Sequence, residues 1–214
     1  VTERTVVHLL RHGEVDNPTG VLYGRMADFH LSDLGRQMAE RVGEHLSRRD
    51  IAAVIASPLE RAQETAAPIA TALGLVVNTF DGLLEWEAIP KRPVYVPLDE
   101  FPADHPALLA MVEGRYPDFV PPFDHQKFRA TARAALDQIF ERWPVERIVA
   151  VCHGGVINEF LSHVLGLDGR QFFYPNYTSI HRVAASSRGH RSILSVNETG
   201  HLRGTGLPVG LFHG

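Results

Sequence analysis

Four short stretches hold the residue types that could do chemistry: Arg11-His12-Gly13 in VVHLLRHGE, Arg61 in SPLERAQETA, Glu85 and Glu87 in LLEWEA, and His153 in VCHGGVIN. An arginine presents a planar fork of donors that matches anionic oxygens, and an imidazole near neutral pH can attack, accept or hand on a proton. Glycine-rich turns that open a helix expose backbone N–H groups to an anion. Together these types point to an anion pocket with a nucleophile inside it. Cys152, the only cysteine, does not supply that nucleophile through a Cys-x5-Arg loop, because Asn158 stands where the arginine would have to be. His8, four residues before His12, is read as a residue of the sheet interior and not as a metal ligand.

These residues converge only if the chain brings three strand ends to one place. Val6 to Leu10, Ile51 to Ala56 and Ile148 to Cys152 are continuous apolar runs, the pattern of parallel strands buried on both faces. Ser32 can cap a helix whose apolar residues Leu34, Met38, Val42 and Leu46 recur every four positions, and Pro58 to Leu73 reads as a second helix. Strand, helix, strand and helix in that order predict an α/β, three-layer sandwich with a mostly parallel central sheet flanked by helices. Ligands of such sheets bind at the carboxyl ends of the strands, where Arg11, His12, Arg61 and His153 would then meet.

Between about residues 86 and 123 the periodicity fails, and prolines and scattered aromatics predict an irregular, lid-like insertion with one short helix near Ala107 to Val112. Regular structure resumes with a helix over Asp124–Arg142, the Ile148 strand, a helix over Val156–Leu165, and strands at Thr178–Ala185 and Arg191–Val196. The tail GTGLPVGLFHG reads as frayed. The expectation is a single domain, residues 1–214, with this one insertion.

Composition narrows the partners. The chain has 214 residues, 44% of them hydrophobic, with a formal net charge of −4. That size suits one well-formed core, and that charge offers no general attraction to nucleic acid or to an anionic membrane. Lys91 and Lys127 are the only lysines among the 21 basic residues, a bias ascribed here to genome composition. A single cysteine excludes an internal disulfide and fits a reducing compartment, and neither a membrane span nor a signal peptide is recognisable. A cytoplasmic protein is expected, with its oligomeric state open.

The five stretches LLRHGE, DFHLSDLGRQMA, SPLERAQETA, DGLLEWEA and VCHGGVIN, in this order and spacing over most of residues 5–200, resemble the histidine phosphatase superfamily, in the branch that contains the cofactor-dependent phosphoglycerate mutases. The resemblance implies a metal-independent phosphomonoesterase, with an acid phosphatase among the forms it could take. It uses a phosphohistidine intermediate on His12, requires no cofactor and acts on a small-molecule phosphate ester. It also assigns Arg11, Arg61 and His153 to the phosphate pocket. A neutral imidazole attacks phosphorus and departs readily in the second step. The arginine forks compensate the phosphoryl oxygens, and a protonated His153 would add a further charge.

Glu85 matches the position of the general acid in many members, and Trp86 beside it would help keep a carboxyl protonated; Glu87 is the rival. Many relatives carry Asn six residues after the nucleophile, whereas here Asn17 stands five after His12 and Pro18 sixth. Asn17 is therefore only a candidate substrate-binding residue. The substrate side of the pocket, within residues 86–123 and near Phe172–Tyr177, has no counterpart in the family pattern. Two alternatives stay open: a phosphoglycerate mutase, and a module that binds a phosphorylated ligand without turnover.

Overall fold

The computed structural model describes residues 4–18, 23–87, 104–106, 109, 124–167 and 172–210. The expected insertion lies largely outside the described residues, and so do the short helix near residue 107, apart from Leu109, and the last four residues of the tail.

Among the described residues, six strands form one sheet: β1 (Arg4–Arg11), β2 (Ala53–Ala56), β3 (Val77–Thr79), β4 (Arg147–Cys152), β5 (Ile180–Ser186) and β6 (Arg191–Glu198), in the spatial order β3-β2-β4-β1-β5-β6. The pairings β3·β2, β2·β4 and β4·β1 are parallel, whereas β1·β5 and β5·β6 are antiparallel. The helices are α1 (Asp33–Leu46), α2 (Glu60–Leu73), α3 (His125–Arg142) and α4 (Gly154–Leu165).

Successive residues of the central strands enter opposite cores, as the period of two requires. Val7, Leu9, Ile55, Ala150 and Cys152 pack with Leu136 and Ile139 of α3 and with Ile157 and Phe160 of α4. Leu10, Val54, Ala56, Val149 and Val151 pack with Val42 and Leu46 of α1 and with Ala66 and Ile69 of α2. The α/β sandwich expected from the continuous apolar runs is thus present, with both faces of the parallel strands covered.

Local signals position the helices. Ser32 caps α1 by accepting from the Gly35 N–H at 2.9 Å, and Asp124 caps α3 by accepting from Lys127 N–H at 2.9 Å. α2 starts at Glu60 and not at Pro58, so Arg61 lies in its first turn. Its Leu59 cap makes no side-chain bond, and Gly74 ends the helix in the left-handed conformation at φ 66°. α4 starts two residues earlier than the sequence suggests, at Gly154, with His153 as its N-cap.

Strand β3 has only three residues, too few for periodicity to reveal. The described part of the tail is more ordered than its composition suggests: Thr205 Oγ1 donates to Leu202 O at 2.6 Å, and the Asn176 amide donates to Val209 O at 3.0 Å. No helix among the described residues is long and apolar enough to cross a membrane.

Candidate active site

The carboxyl ends of β1 and β4 lie side by side, with Arg11 in register with Cys152. The turn that follows β1 is held by backbone on both flanks. His12 N–H donates to Cys152 O at 3.1 Å, Thr178 N–H donates to His12 O at 3.3 Å, and Arg11 N–H donates to Ser179 O at 3.2 Å. Thr178 adopts φ 51°, a left-handed conformation that costs a β-branched residue strain of order 1–3 kcal/mol. The strained residue thus stands against the turn that carries a candidate nucleophile.

Gly13 explains itself by contact. A Cβ there would lie 2.6 Å from Gly35 O, and one on Gly35 would lie 2.0 Å from Glu14 O, so the β1 turn and the first turn of α1 approach closely only because both residues are glycine. Gly13 N–H donates to Thr65 Oγ1 at 3.0 Å, and that hydroxyl donates to Arg61 O at 2.7 Å. Thr65 thereby ties α2, and Arg61 with it, to the turn that carries His12.

His12 is buried, and its Nδ1 lies 2.8 Å from Gly13 O. A carbonyl can only accept, so Nδ1 carries the proton and the lone pair resides on Nε2. Burial, followed by Arg61, His153 and Arg11, holds the ring well below the usual imidazole range. The imidazole is therefore neutral over ordinary pH, the state in which it can attack.

His153 packs beside it, with ring centroids 5.2 Å apart. Its Nε2 is 2.7 Å from Ser57 Oγ, while its buried Nδ1 has no hydrogen-bond partner among the described residues. Burial, then Arg61, Arg11 and Arg25, pushes its pKa far down. His153 was expected to add charge only if protonated, and burial beside two guanidiniums opposes that further positive charge in the unliganded pocket.

Arg61 is fully buried, yet its guanidinium donates only to backbone: Nη2 to Gly24 O, and Nη1 to Met26 O at 3.3 Å. Arg61 makes no salt bridge among the described residues. Arg11 donates to Pro175 O at 2.6 Å. Each guanidinium also lies over a tyrosine ring, Arg11 over Tyr177 at 4.2 Å and Arg61 over Tyr23 at 4.7 Å. Arg61 thus brings into the pocket a buried cationic charge that carbonyls and a ring hold without cancelling, and Arg11 adds a second guanidinium, the electrostatic condition for binding a multiply charged anion.

Glu85 is buried next to Trp86, whereas Glu87 is exposed. The Glu85 carboxyl accepts from Gly155 N–H at 2.9 Å and from Trp86 N–H at 3.0 Å. Burial drives its pKa up, against the opposing pull of those two N–H groups and of Arg61 and Arg11, and the net direction is upward. A Cβ on Gly155 would fall 2.3 Å from Glu85 Oε1, so this glycine makes room for the carboxyl. The first turn of α4, expected to offer its N–H groups to an anion, gives that of Gly155 to Glu85 instead.

Asn17 lies half-buried beyond the Val15·Leu31 bridge, on the loop that leaves the turn. Cys152 is buried at the end of β4, and burial raises its thiol pKa, which removes it as a nucleophile. Sequence reasoning passed over Ser57, Thr65, Thr178, Tyr23 and, except as part of a wider stretch, Tyr177. Ser57 opens the SPLERAQETA motif and could have been noticed there. Thr65 lies in the same motif, and Thr178, Tyr23 and Tyr177 carry no signal beyond their tertiary position. Among the described residues no three His, Cys, Asp or Glu side chains are grouped to hold a metal ion.

An uncharacterized protein of Mycobacterium tuberculosis is 60% identical over 83 residues, 39% of this chain and 41% of that protein, so the match spans less than half of either. A probable phosphoglycerate mutase of Yersinia enterocolitica is 31% identical over 165 residues, 75% of each chain. The solved structure of a phosphoserine phosphatase mutant from Entamoeba histolytica in complex with phosphoserine has a TM-score of 0.73 at 25% identity, covering 92% of this chain and 99% of that one. The family model of the histidine phosphatase superfamily (branch 1) matches residues 7–199, and with a neutral imidazole, two guanidiniums and a buried carboxyl gathered at the strand ends, the chain belongs to that superfamily.

Proposed function

We propose that this protein hydrolyses phosphate monoesters without a metal, through a phosphohistidine on His12. The observation that carries the proposal is the His12 tautomer: with Nδ1–H held by Gly13 O, Nε2 is the available lone pair of a ring that stays neutral. In the first step Nε2 attacks phosphorus and the P–O bond to the alcohol breaks. Arg11, Arg61 and His153 compensate the phosphoryl oxygens, and Glu85 gives its proton to the departing oxygen. In the second step water attacks the phosphohistidine, Glu85 takes a proton from that water, and the His12–phosphorus bond breaks to release phosphate. Asn17 is kept as a further substrate-binding candidate on the same loop.

Two features support Glu85 over Glu87 as the donor: its burial, and the upward direction of its pKa. A neutral His12 below the usual imidazole range and a Glu85 held above the usual carboxyl range give overlapping limbs on the acid side, so the acid phosphatase form of the activity is the one proposed. Phosphoglycerate mutation is the second reading, favoured by the likeness to the Yersinia relative. It requires the phosphoryl group to return to bound substrate before water enters. The substrate is taken to be a small phosphorylated molecule, as in the phosphoserine complex of the Entamoeba protein. The chain is read as one domain with an insertion at about residues 86–123. Its single cysteine is free and buried, which fits a cytoplasmic location.

Phosphate release from p-nitrophenyl phosphate in EDTA, wild type beside His12→Ala, tests the proposal. Turnover should survive the chelator and fall by ~10⁴-fold or more in the variant. Activity that persists in His12→Ala overturns the assignment, and fast interconversion of phosphoglycerates in a coupled assay would select the mutase instead.

A further inference from the structure

Each pocket arginine is gripped on a face by one ring and at an edge by a carbonyl. Arg11 lies 4.2 Å above the Tyr177 ring and donates to Pro175 O at 2.6 Å. Arg61 lies 4.7 Å above the Tyr23 ring and donates to Gly24 O and Met26 O. Both rings flank the nucleophile, with centroids 6.4 Å (Tyr23) and 6.0 Å (Tyr177) from that of His12. Tyr23 is further stacked on Phe29, centroid to centroid 4.9 Å.

We propose that Tyr23 and Tyr177 form a paired aromatic clamp that orients the Arg61 and Arg11 forks for the phosphoryl group. This inference rests on the phosphate reading of the pocket. The physical reason is charge. A carboxylate would hold a guanidinium at least as firmly, but it would also cancel the charge that the substrate's dianion needs. A ring face holds the cation through its quadrupole and leaves the net charge in place, with the in-plane N–H groups not bound to backbone directed away from the ring. Burial keeps the Tyr23 phenol protonated, so no phenolate competes with the substrate. The segment around Tyr177 serves the pocket three times: Pro175 O accepts from Arg11, the Tyr177 ring supports Arg11, and Thr178 N–H holds His12 O. Both tyrosines are positioning residues, since they act through the arginines.

The test is calorimetric binding of inorganic phosphate, with KM and kcat for p-nitrophenyl phosphate measured alongside, in Tyr23→Leu, Tyr177→Leu and the corresponding Phe variants. Each Leu variant should weaken phosphate binding and raise KM by about tenfold, with kcat changed by less than about threefold. The Phe variants, which keep the ring face, should recover most of that loss. Coupling should be specific: Tyr177→Leu adds little in an Arg11→Lys background yet keeps its full effect in Arg61→Lys, and Tyr23→Leu behaves the opposite way.

Additive losses in both arginine backgrounds, or Phe variants as impaired as Leu, overturn the clamp. If a Leu variant does not fold, Tyr→Met at the same position removes the ring at similar volume and decides the same point. Phosphate binding that follows this pattern while turnover survives His12→Ala would retain the clamp and reject the phosphohistidine mechanism. A wild type that binds no phosphate rejects both.

Discussion

Two clusters of buried histidine flank β1, and they differ in how their arginines are held. Midway along the strand, His8 lies near Arg182, which donates to Glu198 at 2.6 and 3.1 Å and to Ser195 Oγ at 2.8 Å. On the other face of β5, His181, opposite Leu9, contacts Ser179 Oγ at 2.9 Å and accepts from Asn197 N–H at 3.1 Å, and half-buried His201 lies 3.2 Å from Thr178 Oγ1. Four residues on, at the strand end, His12 and His153 share their space with Arg61 and Arg11, and what those guanidiniums are seen to meet is carbonyl and ring. Both regions hold buried histidine beside arginine. In the first the cation is matched by a carboxylate and the result is structure; in the second Arg61 makes no salt bridge among the described residues, is held by carbonyls and a ring, and its charge is left for an anion. Burial of a histidine, or a lowered pKa, does not by itself mark the site.

The largest effect that could break this contrast is His12→Ala, for which turnover should vanish while His8→Leu leaves kcat/KM within about threefold; steady-state kinetics on both decides it. Next is Glu85→Gln, expected to slow alkyl phosphates by ~10²- to 10⁴-fold and p-nitrophenyl phosphate far less, because p-nitrophenol departs with little help from a proton donor. Equal losses on both substrates would remove Glu85 from the acid role.

Acid unfolding comes third. His8, His181 and His201 are held by burial at about 4, 3 and 4, below the ordinary 6.5. Below pH 6.5 the unfolded chain takes up protons that the folded rings refuse. Stability is therefore complete above about pH 6.5 and falls as the pH drops toward 4, by on the order of 1–3 kcal/mol per ring. Glu85, shifted upward by burial, contributes a term of opposite sign. Urea titrations from pH 8 to 4 would show the slope, and a flat profile would contradict the burial of these rings. Saturating inorganic phosphate should recover part of the loss through His12 and His153 and none through His8.

Arg61→Lys follows. A point charge cannot reproduce the fork, and kcat/KM should fall by about 10²-fold while the chain stays folded. The smallest expected effect is Arg182→Met, which strands Glu198 and should cost about 1–2 kcal/mol in denaturant titration with kcat/KM unchanged. Were Arg182→Met to damage catalysis, or Arg61→Lys to damage only stability, the distinction between the clusters would fail.

Much of the site was legible because its residues occupy places that the local pattern marks. A continuous apolar run says where a buried strand stops, and Arg11-His12-Gly13 and His153-Gly154-Gly155 follow such stops directly. Gly13 and Gly155 were legible as glycines, but their partners were not: that Gly13 meets Gly35, and Gly155 makes room for Glu85, depends on atoms distant in the chain. Strand β3 was missed because three residues carry no period, and it exists through its pairing with β2. Whether His153 is charged was left conditional by the sequence, because pKa follows burial and neighbours, which no tripeptide reveals.

The sequence by itself determined the layers, the order of strands and helices, and which side chains lie at strand ends, since hydrophobic periodicity and glycine placement are local properties of the chain. Only the tertiary structure decided which of the carboxyls beside Trp86 is buried, which nitrogen of His12 is free, and that two tyrosines hold the two arginines. Those outcomes rest on contacts between residues as far apart as Arg11 and Tyr177, and a contact across that separation is set by how the layers pack.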